Sequence, residues 1–592
     1  MLKYFIFSKR GVILKIKSDN NVVLESFVFP TKHLPKCFSN YKLYTELDNI
    51  LKEYKSVENI MEENFSIVGN LVKSFNGYTD SLYGSKKGTE PLSVYISKPN
   101  GANRVISVVN PLVLIPLHFY INKYHDKILV EQLDDCNCYG SSSKFSFDEG
   151  EFVRSFDYDG DVIFGDYANV VQPNYQYNLL NKQKICDGKY YRLTVDINNF
   201  FNSIYTHTIA WNLTNTENKY IFDNLDAFNR FLNRNETKGI VIGPYTSSLF
   251  SEIILSKVDK RLVKFCQKND ISYVRFCDDF EFYSDSKEKL ENDVRLLISE
   301  ELSKYKLDLN MSKMKLEEFP FISLNTIQNK SIFVLLNRIK ENDYSSSLEF
   351  IEDVMNEVNN AIRIKYSNCN YLLKILVSQM KKGNIPNELL DATTAEILLD
   401  FLVNMMFKQN MISTEVVNLI IEIFGIITLD KERIITKWIK KRNNRLSHIK
   451  EITDIWLLYI IVKLDVSNDL INKYTLEVMK SSDLCSILSI EYLVKNSLED
   501  KYKEELREYL GNIKENLKIR FNSNWKKAGY YTKYWLLFYT NSIRWNLHKQ
   551  DGFGDTILNE MNLEELFNDS DLKKQLNLFF ILKKLNISFF EF

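Results

Sequence analysis

Three aspartates carry the most informative chemistry in this sequence. Tyr190-Tyr191-Arg192-Leu193-Thr194-Val195-Asp196-Ile197 alternates apolar and polar residues with the period of a half-buried strand, which puts Asp196 on one face with Thr194 and Arg192. Asn198 to Ile204 then reads as a turn into an aromatic-rich helix, so the Asp196 carboxylate and the Ile197 carbonyl oxygen can face a hard cation together. Capping of that helix is the simpler role open to Asp196 alone. Further on, Tyr273 to Tyr283 holds two aromatic, strand-like runs around Asp278-Asp279 and reads as a β-hairpin. Adjacent carboxylates raise each other's pKa, whereas a divalent cation stabilises both ionised forms. A solvated turn also accommodates two aspartates, but the aromatic flanks favour a rigidly held pair. Carboxylates from separate elements are what two-metal phosphoryl transfer requires: ions roughly 3.5–4 Å apart, one activating a 3′-type hydroxyl and one neutralising the leaving pyrophosphate. Asp196, Asp278 and Asp279 supply that minimum set, for two Mg2+ ions with Mn2+ as the alternative.

Other segments supply weaker signals of the same kind. Lys238-Gly239-Ile240-Val241-Ile242-Gly243-Pro244 precedes a helical stripe of Phe250, Ile254, Val258 and Leu262, and its two glycines let backbone approach a ligand closely. A plain Gly-Pro turn before a core helix explains this segment equally well. Lys313 follows Leu309-Asn310 and is placed to steady or protonate a leaving pyrophosphate, although a surface lysine is the commoner role. Tyr95 to Val108 reads as two strands joined by Pro99-Asn100-Gly101, with Lys98 and Arg104 beside the tip as candidate triphosphate contacts. His118 and His125, seven apart on one expected helix with no third ligand nearby, read as structural residues. Trp525, Trp535 and Trp545 are aromatic surfaces on which bases can stack, with core packing the stronger expectation.

These residues need elements to hold them, and the chain of 592 residues is long enough for two to four domains. Residues 1–88 mix β-like and helical runs. Residues 89–325 alternate short strands with helices and hold the motifs above, an α/β texture. Residues 326–592 have apolar residues at helical spacing, as in Leu348, Ile351, Val354 and Val358, and predict an all-α, HEAT-like helical repeat. Lys plus Arg (76) nearly cancels Asp plus Glu (77), so any nucleic-acid contact must use a local groove rather than a whole-chain field. The eight cysteines include no second pair at metal-ligand spacing beside Cys136 and Cys138, which disfavours a zinc site. The first ten residues carry too short an apolar run for a signal peptide, and no stretch reaches the ~20 residues of a membrane span, which predicts a cytoplasmic protein without a membrane partner.

In order along the chain, the basic hairpin, the strand aspartate with Phe200-Phe201, Gly239-Ile240-x-x-Gly243-Pro244, the aromatic-Asp278-Asp279 hairpin and Leu309-Asn310-x-x-Lys313 resemble the fingers and palm of reverse transcriptases. The match spans about Glu90 to Phe321 and implies an α+β polymerase fold. It implies that Asp196, Asp278 and Asp279 are metal ligands, that Phe201 is the steric gate against a ribose 2′-hydroxyl, and hence that the substrates are dNTPs. It also implies that Lys98 and Arg104 bind the triphosphate and that Lys238 to Gly243 line the nucleotide and template-base pocket. Thr194 to Trp211 and Glu317-Glu318-Phe319-Pro320-Phe321 are similar to the abortive-infection, AbiK-like group of bacterial defence enzymes. That resemblance implies antiphage defence, a C-terminal helical-repeat domain, homo-oligomers, and DNA made without an external template on a protein tyrosine. Tyr41, Tyr44, Tyr78 and Tyr83 are candidate priming residues. Val241, Ile242 and Cys277 depart from the common pattern, the first two in the loop that cradles the templating pair. Two other readings stand beside this one: a reverse transcriptase templated by a separate noncoding RNA, and a non-catalytic nucleic-acid-binding scaffold.

Overall fold

The computed structural model describes residues 6–8, 11–13, 29, 33–39, 41–47, 49–50, 52–53, 88–97, 103–131, 139–140, 144–148, 151–155, 186, 188–321, 325–364, 366–385, 389–408, 413–443, 450–550, 553, 556–569, 572 and 576–592. Lys98, the turn 99–101, Cys136, Cys138, Tyr78 and Tyr83 lie outside them. Two compact units emerge: Met1–Val28, Leu51–Pro91 and Val109–Phe321 in one, and Phe29–Ile50, Leu92–Val108 and Ile322–Phe592 in the other.

The described strands are β1 (Ile6–Ser8), β2 (Gly11–Ile13), β3 (Leu92–Ser97), β4 (Asn103–Val108), β5 (Tyr139–Gly140), β6 (Lys144–Asp148), β7 (Glu151–Ser155), β8 (Tyr191–Asp196), β9 (Ser272–Phe276), β10 (Asp279–Ser284) and β11 (Lys315–Glu318). In the first unit, five form a sheet in the order β11-β8-β10-β9-β5, antiparallel except for the β5–β9 pair. Period-two alternation sorts its residues. Leu193, Val195, Tyr273, Phe280 and Phe282 are buried. Tyr273 stacks on Phe282 with ring centroids 4.9 Å apart. The opposite face carries Arg192, Thr194 and Asp196 of β8 beside Tyr283, Glu281 and Asp279 of β10. Arg192 donates to Glu317 of β11 across that face through Nε at 3.0 Å and Nη2 at 2.5 Å, a forked, charge-assisted pair.

The helix Tyr245–Lys268 follows Pro244 and contributes its buried stripe of Phe250, Ile254, Val258 and Leu262 to the core of this unit. Lys257 of the same helix is buried and donates to the carbonyl oxygens of Ile209 and Trp211, each at 2.7 Å. Burial lowers its pKa to about 8. These bonds tie the helix to the segment that follows β8 and the short helix after it. His118 is also buried, 2.5 Å from the Tyr245 hydroxyl, and burial lowers its pKa to about 4, which suits a structural imidazole.

The second unit is mainly helical from Asn325 onward. Ser347–Ile364 packs on Tyr366–Lys381 and on Ala392–Lys408, and Lys450–Leu464 packs on Ser413–Ile426 and on Asp483–Lys495. Next-but-one neighbours thus pack together in both cases. Trp525, Trp535 and Trp545 are buried here, and Trp545 Nε1 donates to Glu491 at 2.7 Å, so all three serve packing. The β3–β4 hairpin belongs to this unit and touches Lys450–Leu464. So does the segment Phe29–Ile50, where Phe38 bridges Phe590, Ser39 N donates to Phe589 O at 3.2 Å and Glu591 N donates to Cys37 O at 2.8 Å. Among the described residues, no helix is long and apolar enough to cross a membrane.

Candidate active site

The strand register brings the acidic residues together. β8 and β10 are neighbours, and Asp196 lies directly opposite Asp279. β9 and β10 pair Phe276 with Asp279, so only Cys277 and Asp278 form the connecting turn. Cys277 has φ +52, the left-handed backbone that a two-residue hairpin turn demands and that a side chain resists. Ile197 N donates to Asp278 O at 3.3 Å, joining the turn to the end of β8. Beyond Asp196, Asn199 at φ +45 turns the chain into the short helix Phe200–Ser203.

Lys313 comes to the same place from the turn before β11. Its Nζ lies 2.6 Å from Asp196 Oδ2, and the Asn310 amide donates to the same oxygen at 3.3 Å. Asn310 N also donates to Asp196 O at 2.7 Å. The hydrogen bond to Asp196 raises the Lys313 pKa and keeps it cationic. Asp279 is shifted up to about 6, first by loss of hydration and then by the charges of Asp278 and Asp196.

The loop Lys238 to Gly243 lies along the helix Phe200–Ser203. Gly239 N donates to Ile204 O at 2.8 Å and Ile240 N to Phe201 O at 2.9 Å, while Lys238 bridges Tyr205. Gly239 has φ +86, which calls for glycine, and a Cβ there would come within a tight 3.3 Å of the Asn202 carbonyl oxygen. Gly243, φ +142, also needs glycine. Phe201 is half-buried, its ring 5.2 Å from that of Phe200. Arg104 is exposed on β4, in the other compact unit. His207 is paired with Asp226 at 2.7 Å.

Asn310 and Arg275 are the polar residues here that sequence reasoning passed over. Arg275 had a signal: it alternates with Tyr273 on the strand face that turns inward. Among the described residues, no three His, Cys, Asp or Glu side chains converge at metal-ligand spacing, Asp196 being turned onto Lys313. The donor chemistry nevertheless fits a hard divalent cation: carboxylate oxygens at one strand end, where loss of hydration and then neighbouring negative charge hold the Asp279 proton to about pH 6.

Residues 114–381 match the sequence profile described as reverse transcriptase (RNA-dependent DNA polymerase), a span that contains Asp196, Asp278, Asp279 and Lys313. This region, somewhat under half of the chain, is similar to reverse transcriptases. The chain is also similar to the retron Ec83 reverse transcriptase of Escherichia coli, 29% identical over 119 residues, which are 19% of this chain and 38% of that protein. The chain therefore matches well under half the length of that relative. Among solved structures, telomerase from Candida tropicalis in complex with a TWJ fragment of telomeric RNA aligns at TM-score 0.29 and 12% identity, over 67% of this chain and 68% of that one. The apo telomerase from the same organism aligns at 0.28 and 13%, over 67% and 74%.

Proposed function

We propose that this protein is a nucleotidyltransferase that joins dNTPs to a growing DNA strand, with its reaction centred on Asp196, Asp278 and Asp279. The observation that carries the reading is the Asp196–Asp279 register beside the two-residue turn bearing Asp278, inside a region similar to reverse transcriptases. Asp196, Asp278, Asp279 and the Ile197 carbonyl oxygen would hold two Mg2+ ions, Mn2+ being able to replace them. When bound, such ions make a hydroxyl a better nucleophile and neutralise charge on the leaving pyrophosphate. Lys313, held cationic beside Asp196, steadies the negative charge that develops on the phosphates and can give a proton to the departing pyrophosphate. Phe201 stands as the steric gate, and the Lys238 to Gly243 backbone bonded to it lines the nucleotide pocket.

At the level of biology, we assign the chain to antiphage defence within the abortive-infection, AbiK-like group, acting as a cytoplasmic homo-oligomer. Residues 89–325 then serve as fingers and palm and residues 326–592 as a HEAT-like repeat, a reading supported by the next-but-one helix packing. DNA synthesis without an external template, primed on a tyrosine, is the form of the reaction we favour. A noncoding RNA template is the second reading, favoured by the similarity to a retron reverse transcriptase.

Purified protein incubated with Mg2+ and each labelled dNTP, with and without template and primer, tests the proposal. Incorporation should appear, should move with the protein on a denaturing gel, and should fall at least about 1,000-fold when Asp278 and Asp279 are both changed to Ala. Phage protection should be lost with it, and protection that survives the double change refutes a catalytic function. Repeated copies of one RNA in the product would favour the second reading over untemplated tails.

A further inference from the structure

Behind the acidic turn lies a fully buried ionic cluster that the proposed chemistry does not use. Arg275 of β9 is 0% exposed, as is Asp259, and Glu252 is 3% exposed. Both carboxylates come from the helix Tyr245–Lys268, seven residues apart and therefore on one face. The guanidinium donates through Nε to Asp259 Oδ1 at 3.0 Å, and through Nη2 to Asp259 Oδ2 at 2.7 Å and Glu252 Oε2 at 2.9 Å. The Tyr273 hydroxyl donates to Asp259 Oδ1 at 2.6 Å. The remaining arm of the fork reaches both ways: Arg275 Nη1 donates to Glu252 Oε1 at 3.3 Å and, more closely, to the Cys277 carbonyl oxygen at 2.9 Å.

A buried ion pair of this kind seldom stabilises a fold more than apolar residues of the same volume would. What it supplies is direction. The guanidinium is planar and rigid, so fixing two of its arms on the helix fixes where the third points. That arm holds the carbonyl of the one residue in the turn with left-handed φ, immediately before Asp278. Ile197 N holds the next carbonyl, that of Asp278, from the other side. The two bonds set the planes of the Cys277–Asp278 and Asp278–Asp279 peptides, one each, and with them the direction in which Asp278 and Asp279 leave the backbone.

We propose that Arg275 is a positioning residue for Asp278 and Asp279, acting through the Cys277 carbonyl and aimed by Glu252 and Asp259. The inference rests on the proposed nucleotidyl transfer for its kinetic consequence, but its geometric claim can be tested separately. Arg275→Lys keeps the charge and loses the fork, since an ammonium is a point donor. In the full-length protein, three quantities would be compared with wild type: thermal melting, kcat and dNTP KM for incorporation, and the iodoacetamide alkylation rate of Cys277 followed by peptide mass spectrometry. Arg275→Lys should raise Cys277 alkylation about tenfold and lower kcat about tenfold per folded molecule, with KM within about twofold. A purely structural role would lower the melting temperature and leave kcat per folded molecule and Cys277 alkylation at wild-type values, which would overturn the proposal. Glu252→Gln, which keeps the shape of the cluster, should move alkylation and kcat in the same directions by about threefold. It carries the test if Arg275→Lys does not fold, and wild-type values for it would then be the overturning result. Wild-type protein that incorporates no nucleotide refutes the proposed function, while the alkylation rates still decide whether Arg275 holds the turn.

Discussion

Asp279→Asn should make this protein more stable and inactive, and the pH at which the stability gain appears follows from the site. Asp279 titrates near 6 instead of its ordinary 3.8 because it is poorly hydrated and faces Asp278 and Asp196. A carboxyl with a folded-state pKa above its unfolded value contributes stability that is fully present below 3.8 and lost as the pH rises through about 6. Above that, the wild-type protein keeps a carboxylate it would be more stable without. At about 1.4 kcal/mol per pH unit, the interval sets a ceiling of about 3 kcal/mol. At the strand end the side chain keeps one side open to solvent even though its carboxyl is partly desolvated, so solvent screening reduces the effect to about 1 kcal/mol. For a unit of this size that is roughly 2–4 °C in melting temperature. Differential scanning fluorimetry with a chelator present should show Asp279→Asn melting higher at about pH 8 and the gap closing toward about pH 4. Saturating Mg2+ should narrow the gap at high pH, because a bound cation stabilises the wild-type carboxylates more than the amide. Nucleotide incorporation by the variant should be at least about 100-fold lower. If Asp279→Asn melts at or below wild type at high pH without metal, the carboxylates do not repel one another as described.

Two further substitutions probe separate parts of the molecule. Burial, with repulsion from Asp483 and Asp454, lifts the Glu451 pKa to about 7, so Glu451→Gln should stabilise the helical unit by about 1–2 kcal/mol above that pH. Its benefit should vanish below about pH 4.5, and a pH-independent difference in melting would contradict the assignment. Phe201→Ala should retain dNTP incorporation and reduce discrimination against ribonucleotides by at least about tenfold in kcat/KM. An unchanged ratio of the two kcat/KM values would remove Phe201 as the gate.

Local periodicity made much of the central sheet readable. The alternation through Leu193 and Val195, the aromatic runs flanking Asp278-Asp279 and the every-fourth stripe from Phe250 to Leu262 appear in the structure as β8, the β9–β10 hairpin and a buried helix face. Such patterns say which side of an element is apolar and nothing about which element lies beside it. Hence the strand order β11-β8-β10-β9-β5 had to come from the fold, and with it the placement of Asp196 opposite Asp279. Arg275 was missed for a related reason: an arginine in a strand reads as solvent-facing until two carboxylates from a distant helix are seen to neutralise it. The β3–β4 hairpin likewise looks like a satellite of the motif-bearing region by proximity in sequence, while its packing partner is the helix Lys450–Leu464.

The pairing of Cys37–Ser39 with Phe589–Glu591 has a consequence for biosynthesis. Those strand partners are separated by nearly the whole sequence, so Cys37 to Ser39 must leave the ribosome and wait, unpaired, until residues 589–591 have also emerged. Nascent chains that stop short of residue 589 keep an open edge and the apolar faces of Phe29 and Phe38 without Phe589 and Phe590, features that quality-control machinery recognises. Completion of this unit is consequently a late step with high contact order. In a cell making the protein, ribosome stalling or premature termination would produce chains in which the helical unit remains unclosed.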